Sequence, residues 1–273
     1  MANNPLVAVL ASRALIAVSG PDWRHFLQGL LTQDVETLAP DGLRFGALLT
    51  PQGRLLWDMF VIGREDGCWL DVEAAHRDAI VQRLAIYRLR AKVEIAPDPT
   101  PVLVRFPGEG EAPAGWRLDP KLPALGWRAY GELEAPNAGE ADYEAHRLAL
   151  GVPGPADWGS ETTYPIEANF DLLGGIDFKK GCFVGQETTS RMKRRGQIKS
   201  RMLPLVFDGP APAPGTEVLA GELRAGEVRS GAEGRAIALL RLDRALGADL
   251  TVDGRPARAE TPAWMAEAMG QDA

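Results

Sequence analysis

The chain has little sulfur and little histidine. Two cysteines, Cys68 and Cys182, and three histidines, His25, His76 and His146, are all that 273 residues contain. Two cysteines exclude a disulfide framework and fit a reducing compartment. Neither cysteine has a Cys or His partner at metal-finger spacing, so no closed metal site is expected. No apolar run approaches the ~20 residues that span a bilayer. The opening MANNPLVAVL has no basic stretch ahead of its apolar residues, unlike a secretory signal or an Arg-rich transit peptide. A cytoplasmic location follows as an expectation, or a mitochondrial matrix one for a chain whose transit peptide has been removed. A net charge of −7 argues against a dedicated nucleic-acid binder.

What is present suits a globular protein: 45% hydrophobic and 25% charged residues. Ala14–Val18 reads as a buried strand. Ser19-Gly20-Pro21-Asp22 then forms a helix start, with Trp23, Phe26, Leu27, Leu30 and Leu31 at helical spacing. Residues 45–49, 55–62 and 68–72 read as successive strands, residues 73–90 as a helix and 92–95 as a returning strand. Leu56, Asp58 and Phe60 fall on one strand face by alternation. The stretch 97–136 is rich in proline and glycine, with strands at 102–106 and 126–130; a helix follows over 141–150. After residue 200 short β-type runs recur between glycines and prolines, and Asp253-Gly254 marks a hairpin. Residues 200–260 therefore read as a small β-barrel, and 261–273 as a tail.

The densest segment is Lys179-Lys180-Gly181-Cys182-Phe183-Val184-Gly185-Gln186-Glu187. Gly181 and Gly185 frame a thiol with permissive backbone. Gln186 and Glu187 suit the first turn of a helix that ends at Gly196. A thiol just before a helix N-terminus and beside two lysines is favoured as thiolate. From 179 to 201 eight basic residues (Lys179, Lys180, Arg191, Lys193, Arg194, Arg195, Lys199, Arg201) face one acid, Glu187. That excess suits a polyanionic partner. A small buried cysteine beside a solvated helix face is the plainer reading; the two features adjoining favours function.

The stretch 180–187 resembles the K-G-C-[YF]-[IV]-G-Q-E signature of the YgfZ-type folate-binding proteins, relatives of the glycine-cleavage T-protein implicated in iron–sulfur enzyme maturation. Phe183 stands where tyrosine is more usual. Phe26-Leu27-Gln28-Gly29 with Thr32-Gln33-Asp34-Val35, and Thr50-Pro51-Gln52-Gly53-Arg54 with Asp58, are similar to further elements of that family. Residues 97–136 match no part of it. The resemblance implies an α+β fold: a T-protein-like body, residues 1–199, of two interwoven α+β subdomains around a central folate site, then the C-terminal barrel. The subdomains would be 1–45 with 137–199, and 46–136.

It also implies roles. Tetrahydrofolate or a derivative is the expected cofactor. Pro165-Ile166-Glu167 is similar to the T-protein element whose acid binds the pterin, and a carboxylate accepts two donors from a 2-aminopyrimidinone edge. Arg147 either faces that ligand, pairs with Glu167 or is salt-bridged structurally. Gly181, Gln186 and Arg191 fall on the folate side. Cys182, with Lys180, is the reactive element. Asp58 is the second of two acids in T-proteins; Trp57 replaces the first, which sets aminomethyl transfer behind a folate-facing role. The expected partners are reduced folate and iron–sulfur assembly proteins or client enzymes. The alternatives are a folate-dependent one-carbon transferase, and a scaffold docking acidic partners on the basic stretch.

Overall fold

A computed structural model describes residues 5–108, 110–111 and 113–270. The first half runs β1 (Leu6–Val9), β2 (Arg13–Ser19), α1 (Trp23–Gln28), β3 (Leu43–Leu49), β4 (Leu55–Arg64), β5 (Gly67–Glu73), α2 (Arg77–Arg88), β6 (Glu94–Asp98), β7 (Val102–Phe106), β8 (Arg117–Leu118) and β9 (Trp127–Tyr130). Then come α3 (Glu140–Ala149), α4 (Pro155–Trp158) and α5 (Gln186–Arg195). The barrel follows as β10 (Ser200–Phe207), β11 (Glu217–Ala220), β12 (Leu223–Ala232), β13 (Arg235–Arg241), α6 (Leu242–Ala245), β14 (Leu250–Val252) and β15 (Arg255–Ala259), closed off by α7 (Ala263–Gly270).

The fold is α+β, as expected. A five-stranded antiparallel sheet has the order β3-β4-β5-β2-β6, and a four-stranded sheet the order β1-β7-β9-β8. Strands β10-β13-β12-β11-β14-β15 form a closed six-stranded barrel, which leaves no edge to pair with another chain. Strand β3 crosses residue 45, so the five-stranded sheet takes strands from both sides of the subdomain boundary placed there. Strand β1 was not read from the sequence, because four residues beside Pro5 carry too short a pattern. The first helix stops at Gln28, short of Leu31, because the chain then turns to pair Leu31 with Leu48 on β3.

The five-stranded sheet is covered on both faces, which explains why β4 reads as a continuous apolar run. Met59, Val61, Leu70 and Val72 pack with Phe26 and Leu27 of α1 and Ile80 and Leu84 of α2. Phe45, Phe60 and Ile62 pack on the opposite side with Ile166, Phe170 and Phe183. Each such side chain contributes about 1.5–3 kcal/mol by burial. The expected shared face of Leu56, Asp58 and Phe60 is corrected by a bulge. Leu48 lies opposite Trp57 while Leu49 lies opposite Leu55, so Leu56 is the extra residue. Leu56 joins Met59 and Val61, whereas Asp58 stays on the side of Phe60.

Candidate functional site

Three sequence-distant segments meet at the loop that carries Cys182. The loop before α5 is clamped from the N-terminal side by residues 28–33. Lys180 Nζ donates to the carbonyls of Gln28 at 2.8 Å, Leu31 at 2.5 Å and Gln33 at 2.9 Å. Val184 N–H donates to Gly29 O at 3.1 Å, Thr32 Oγ1 to Gly175 O at 2.6 Å and Gln33 Nε2 to Gly174 O at 2.7 Å. From the other side the 50–54 turn packs on Gly185, where φ is 81° and a Cβ would lie 2.5 Å from Thr50 O. Only glycine fits there.

This clamp revises the role expected of Lys180. Its three donors are taken by three carbonyls, the full capacity of an ammonium. Burial lowers its pKa to about 8, against the pull of Asp34, Asp177 and Glu36. Lys180 therefore fixes the loop. Cys182 is exposed, as is Gly181. Phe183 behind them is buried in the core, and the neighbouring Phe178 is partly exposed. Gln186 opens α5, its N–H bonded to Phe183 O, and Arg191 is exposed on the same helix. A Cβ at Gly181 would meet nothing within 4 Å, so this glycine is not demanded by packing.

The basic stretch is smaller on the surface than in the sequence. Arg201 is buried and bidentate to Asp171, with both N···O distances 2.9 Å, and also donates to Ile166 O. Arg201 and Lys180 are thus internal clamps. Lys179, Arg191, Arg194, Arg195 and Lys199 are exposed.

The 50–54 turn also touches the segment carrying Glu167. Arg54 donates to Thr162 O at 2.5 Å and lies 4.6 Å from the centroid of the Tyr164 ring. Leu55 N–H donates to Thr163 O. Glu167 is half-buried. Its Oε2 accepts from Tyr164 N–H at 3.0 Å, while Oε1 has no hydrogen bond among the described residues. Burial raises its pKa, opposed by the Tyr164 N–H, Arg54 and Arg229. Arg229 pairs through Nη2 with Glu227 Oε1 at 3.1 Å, while its buried Nε has no hydrogen bond among the described residues. A carboxylate oxygen and a guanidinium N–H left open in one neighbourhood fit a ligand that both donates and accepts hydrogen bonds.

Arg147 is a structural ion-pair residue and does not join Glu167. It donates to Glu144 Oε2 at 2.8 and 3.0 Å, to Asp157 Oδ2 at 3.0 Å and to Val152 O at 2.6 Å. Asp58 is buried too, with Oδ2 held by Arg13 at 3.1 Å.

Asp58 opens onto a network that sequence reading missed. Arg13 Nε donates to Asp71 at 2.7 Å; Arg128 donates to Asp71 at 3.0 Å and to Asp119 at 3.1 Å; Tyr130 OH donates to Asp71 at 3.3 Å. Burial alone would lower the Arg13 and Arg128 pKa values, but Asp71 and Asp58 hold Arg13, and Tyr143, Asp71 and Asp119 hold Arg128, above the ordinary arginine value. Asp119 and Lys121 come from the proline-rich stretch, where no periodicity marks them. Asp71 and Arg13 look like ordinary strand residues until the two sheets are brought together.

Comparison with known proteins agrees with this architecture. Residues 199–267 match the family described as CAF17, C-terminal beta-barrel domain. The glycine cleavage system aminomethyltransferase T of Bartonella henselae has a crystal structure similar to this one at a TM-score of 0.77. It is 16% identical, with 96% of this chain and 86% of that chain covered, which establishes a shared fold. Fold and barrel together define a protein with an aminomethyltransferase-like body and a CAF17-type C-terminal module.

Within that class, the human iron–sulfur cluster assembly factor IBA57, mitochondrial, is 33% identical over 270 residues, covering 85% of this chain and 76% of the human protein. The Mus musculus protein of the same name is 30% identical, covering 87% and 78%. The chain belongs to the IBA57 family of iron–sulfur cluster assembly factors. The YgfZ-type resemblance is met at the coarser level of fold and related family, not of the YgfZ branch itself.

Proposed function

We propose that this protein is an accessory factor in iron–sulfur cluster assembly that binds a reduced folate and presents Cys182 to partner proteins. The observation that carries this reading is the 50–54 turn, which packs on Gly185 of the cysteine loop and on the Thr162–Tyr164 segment beside Glu167. Glu167 and Arg229 are the residues that would hold the pterin edge. The bound folate would supply an electron-rich amine able to carry a one-carbon unit. This chain's part is to hold Glu167 ready as an acceptor and to keep the Cys182 thiol on the surface of a clamped loop. An exposed thiol on a fixed loop can ligate a transient cluster or exchange with a partner thiol.

The relatives are named as assembly factors, and their names carry the word mitochondrial. Assembly proteins or client enzymes are accordingly the partners in this reading, reached in a mitochondrial matrix or a bacterial cytoplasm. The exposed cations of α5 suit acidic partner surfaces. Asp58, with one oxygen on Arg13, supports an accessory role ahead of aminomethyl transfer.

Calorimetric titration with reduced folates tests the ligand, first with the unmodified protein and then with Glu167→Ala. Binding lost in the variant is the expected result; binding unchanged sinks the assignment. Rescue of a maturation-deficient strain tests the thiol: equal rescue by Cys182→Ser removes it from the mechanism.

A further inference from the structure

Lys121 holds an amine that the reading above does not use. Its backbone N–H donates to Asp119 Oδ1 at 2.9 Å, closing an Asx turn at the start of the lysine. The side chain then reaches the aromatic floor of the central cluster. Its Nζ lies 5.3 Å from the ring centroids of both Phe45 and Phe60. Two other cations stand over Phe60, Arg128 at 3.8 Å and Arg13 at 5.7 Å, and both are consumed by ion pairs. Lys121 Nζ, by contrast, makes no hydrogen bond or ion pair among the described residues. Asp119, Asp58, Arg128 and Arg147 are the charged groups that act on it. Burial pushes the amine down to about 8, with Arg128 and Arg147 adding to the effect and Asp119 and Asp58 opposing it.

We propose that Lys121 is a nucleophilic amine that condenses with a small neutral aldehyde, of the size of formaldehyde, over the Phe45 and Phe60 rings. The amine lone pair attacks the carbonyl carbon, and the carbonyl π electrons pass to oxygen, which takes a proton from water. The nitrogen loses a proton, giving a carbinolamine. Departure of the hydroxyl as water then leaves the imine, so that one primary amine and one formaldehyde become one methylene imine and one water. No oxidant or reductant is consumed. An anionic substrate is disfavoured because Arg13 and Arg128 are already neutralised by Asp58, Asp71 and Asp119. A protonated imine is cationic and keeps the attraction of the two aromatic faces. The inference does not rest on folate binding and stands or falls separately from it.

The test uses the full chain, limiting formaldehyde and cyanoborohydride, which traps the imine as a methylated lysine, with the sites read by peptide mass spectrometry. At pH 7.5, Lys121 is expected to label at least tenfold faster than Lys92, Lys179 and Lys199. Its rate should saturate with formaldehyde and rise with pH around a midpoint near 8. Phe60→Leu, checked for retained fold by circular dichroism, should slow Lys121 and leave Lys92 unchanged. Labelling of Lys121 that stays linear in formaldehyde, or that only matches Lys92, overturns the proposal. Faster labelling by glyoxylate than by formaldehyde would reassign the position to an anion and overturn it equally.

Discussion

Gly53 and Gly185 meet backbone to backbone: a Cβ on Gly53 would lie 2.9 Å from Gly185 O, and one on Gly185 would lie 3.0 Å from Gly53 Cα. Both have positive φ, 85° and 81°. This contact seats the cysteine loop on the turn that leads toward Glu167. Gly185→Ala brings a left-handed alanine, costing about 1–2 kcal/mol, and a clash with Thr50 O, costing about 1–3 kcal/mol. The expected outcome is a fall in Tm on the order of 5–15 °C by calorimetry. An unchanged Tm would show that the two segments do not pack as described.

Lys180→Met removes the shared donor of Gln28, Leu31 and Gln33 while keeping the length of the stem. Three part-buried carbonyls lose a partner, a destabilisation of about 1–3 kcal/mol. Urea unfolding measures it. The mechanism is clamping rather than thiol activation, so the Cys182 thiol should also become more mobile, visible as faster motion of a spin label attached to Cys182. Full stability in the variant contradicts the clamp.

Glu167→Gln separates stability from ligand binding. A carboxyl whose pKa is raised by burial holds its proton longer in the folded state than in the unfolded one. Stability therefore falls as pH rises through the window between the unfolded and folded values. Glutamine removes that dependence and still accepts from Tyr164 N–H. The variant should match the parent at pH 4, melt higher at pH 7.5, and bind reduced folate roughly tenfold more weakly, as expected for the loss of a charge-assisted hydrogen bond. A lower Tm at pH 7.5 would refute the assignment of Glu167 as an incompletely partnered acid.

Lys121→Met gives an independent reading of the central amine. Its folded value of about 8 lies below the ordinary 10.5, so the unfolded chain binds more protons between those limits. Parent stability gains from this group as pH rises from 8 to 10.5, and the full penalty is present at pH 7. Methionine keeps the stem over Phe45 and Phe60. The variant should melt higher than the parent at pH 7, by roughly 2–4 °C for each kcal/mol recovered, with the advantage shrinking toward pH 10.5. An advantage that grows with pH has the wrong sign.

Much of this protein was legible as sequence because its signals are local. The short β-runs after residue 200 mark the barrel, since glycine and proline punctuation and alternation are encoded residue by residue. The cysteine loop and α5 were readable for the same reason: Gly185 and Gly196 both adopt the left-handed caps that glycine favours. Tertiary structure alone decided which charges are chemical and which are mortar. Lys180, Arg147 and Arg201 look like exposed cations in a string of letters, yet carbonyls and carboxylates 3 to 152 positions away consume them. Lys121 sits in a stretch with no pattern, and its amine has no hydrogen bond or ion pair among the described residues, because the acids nearest it, Asp58 and Asp119, are already paired with arginines. Long-range pairing of charges depends on how two sheets and a turn come together, and no period in the chain records it.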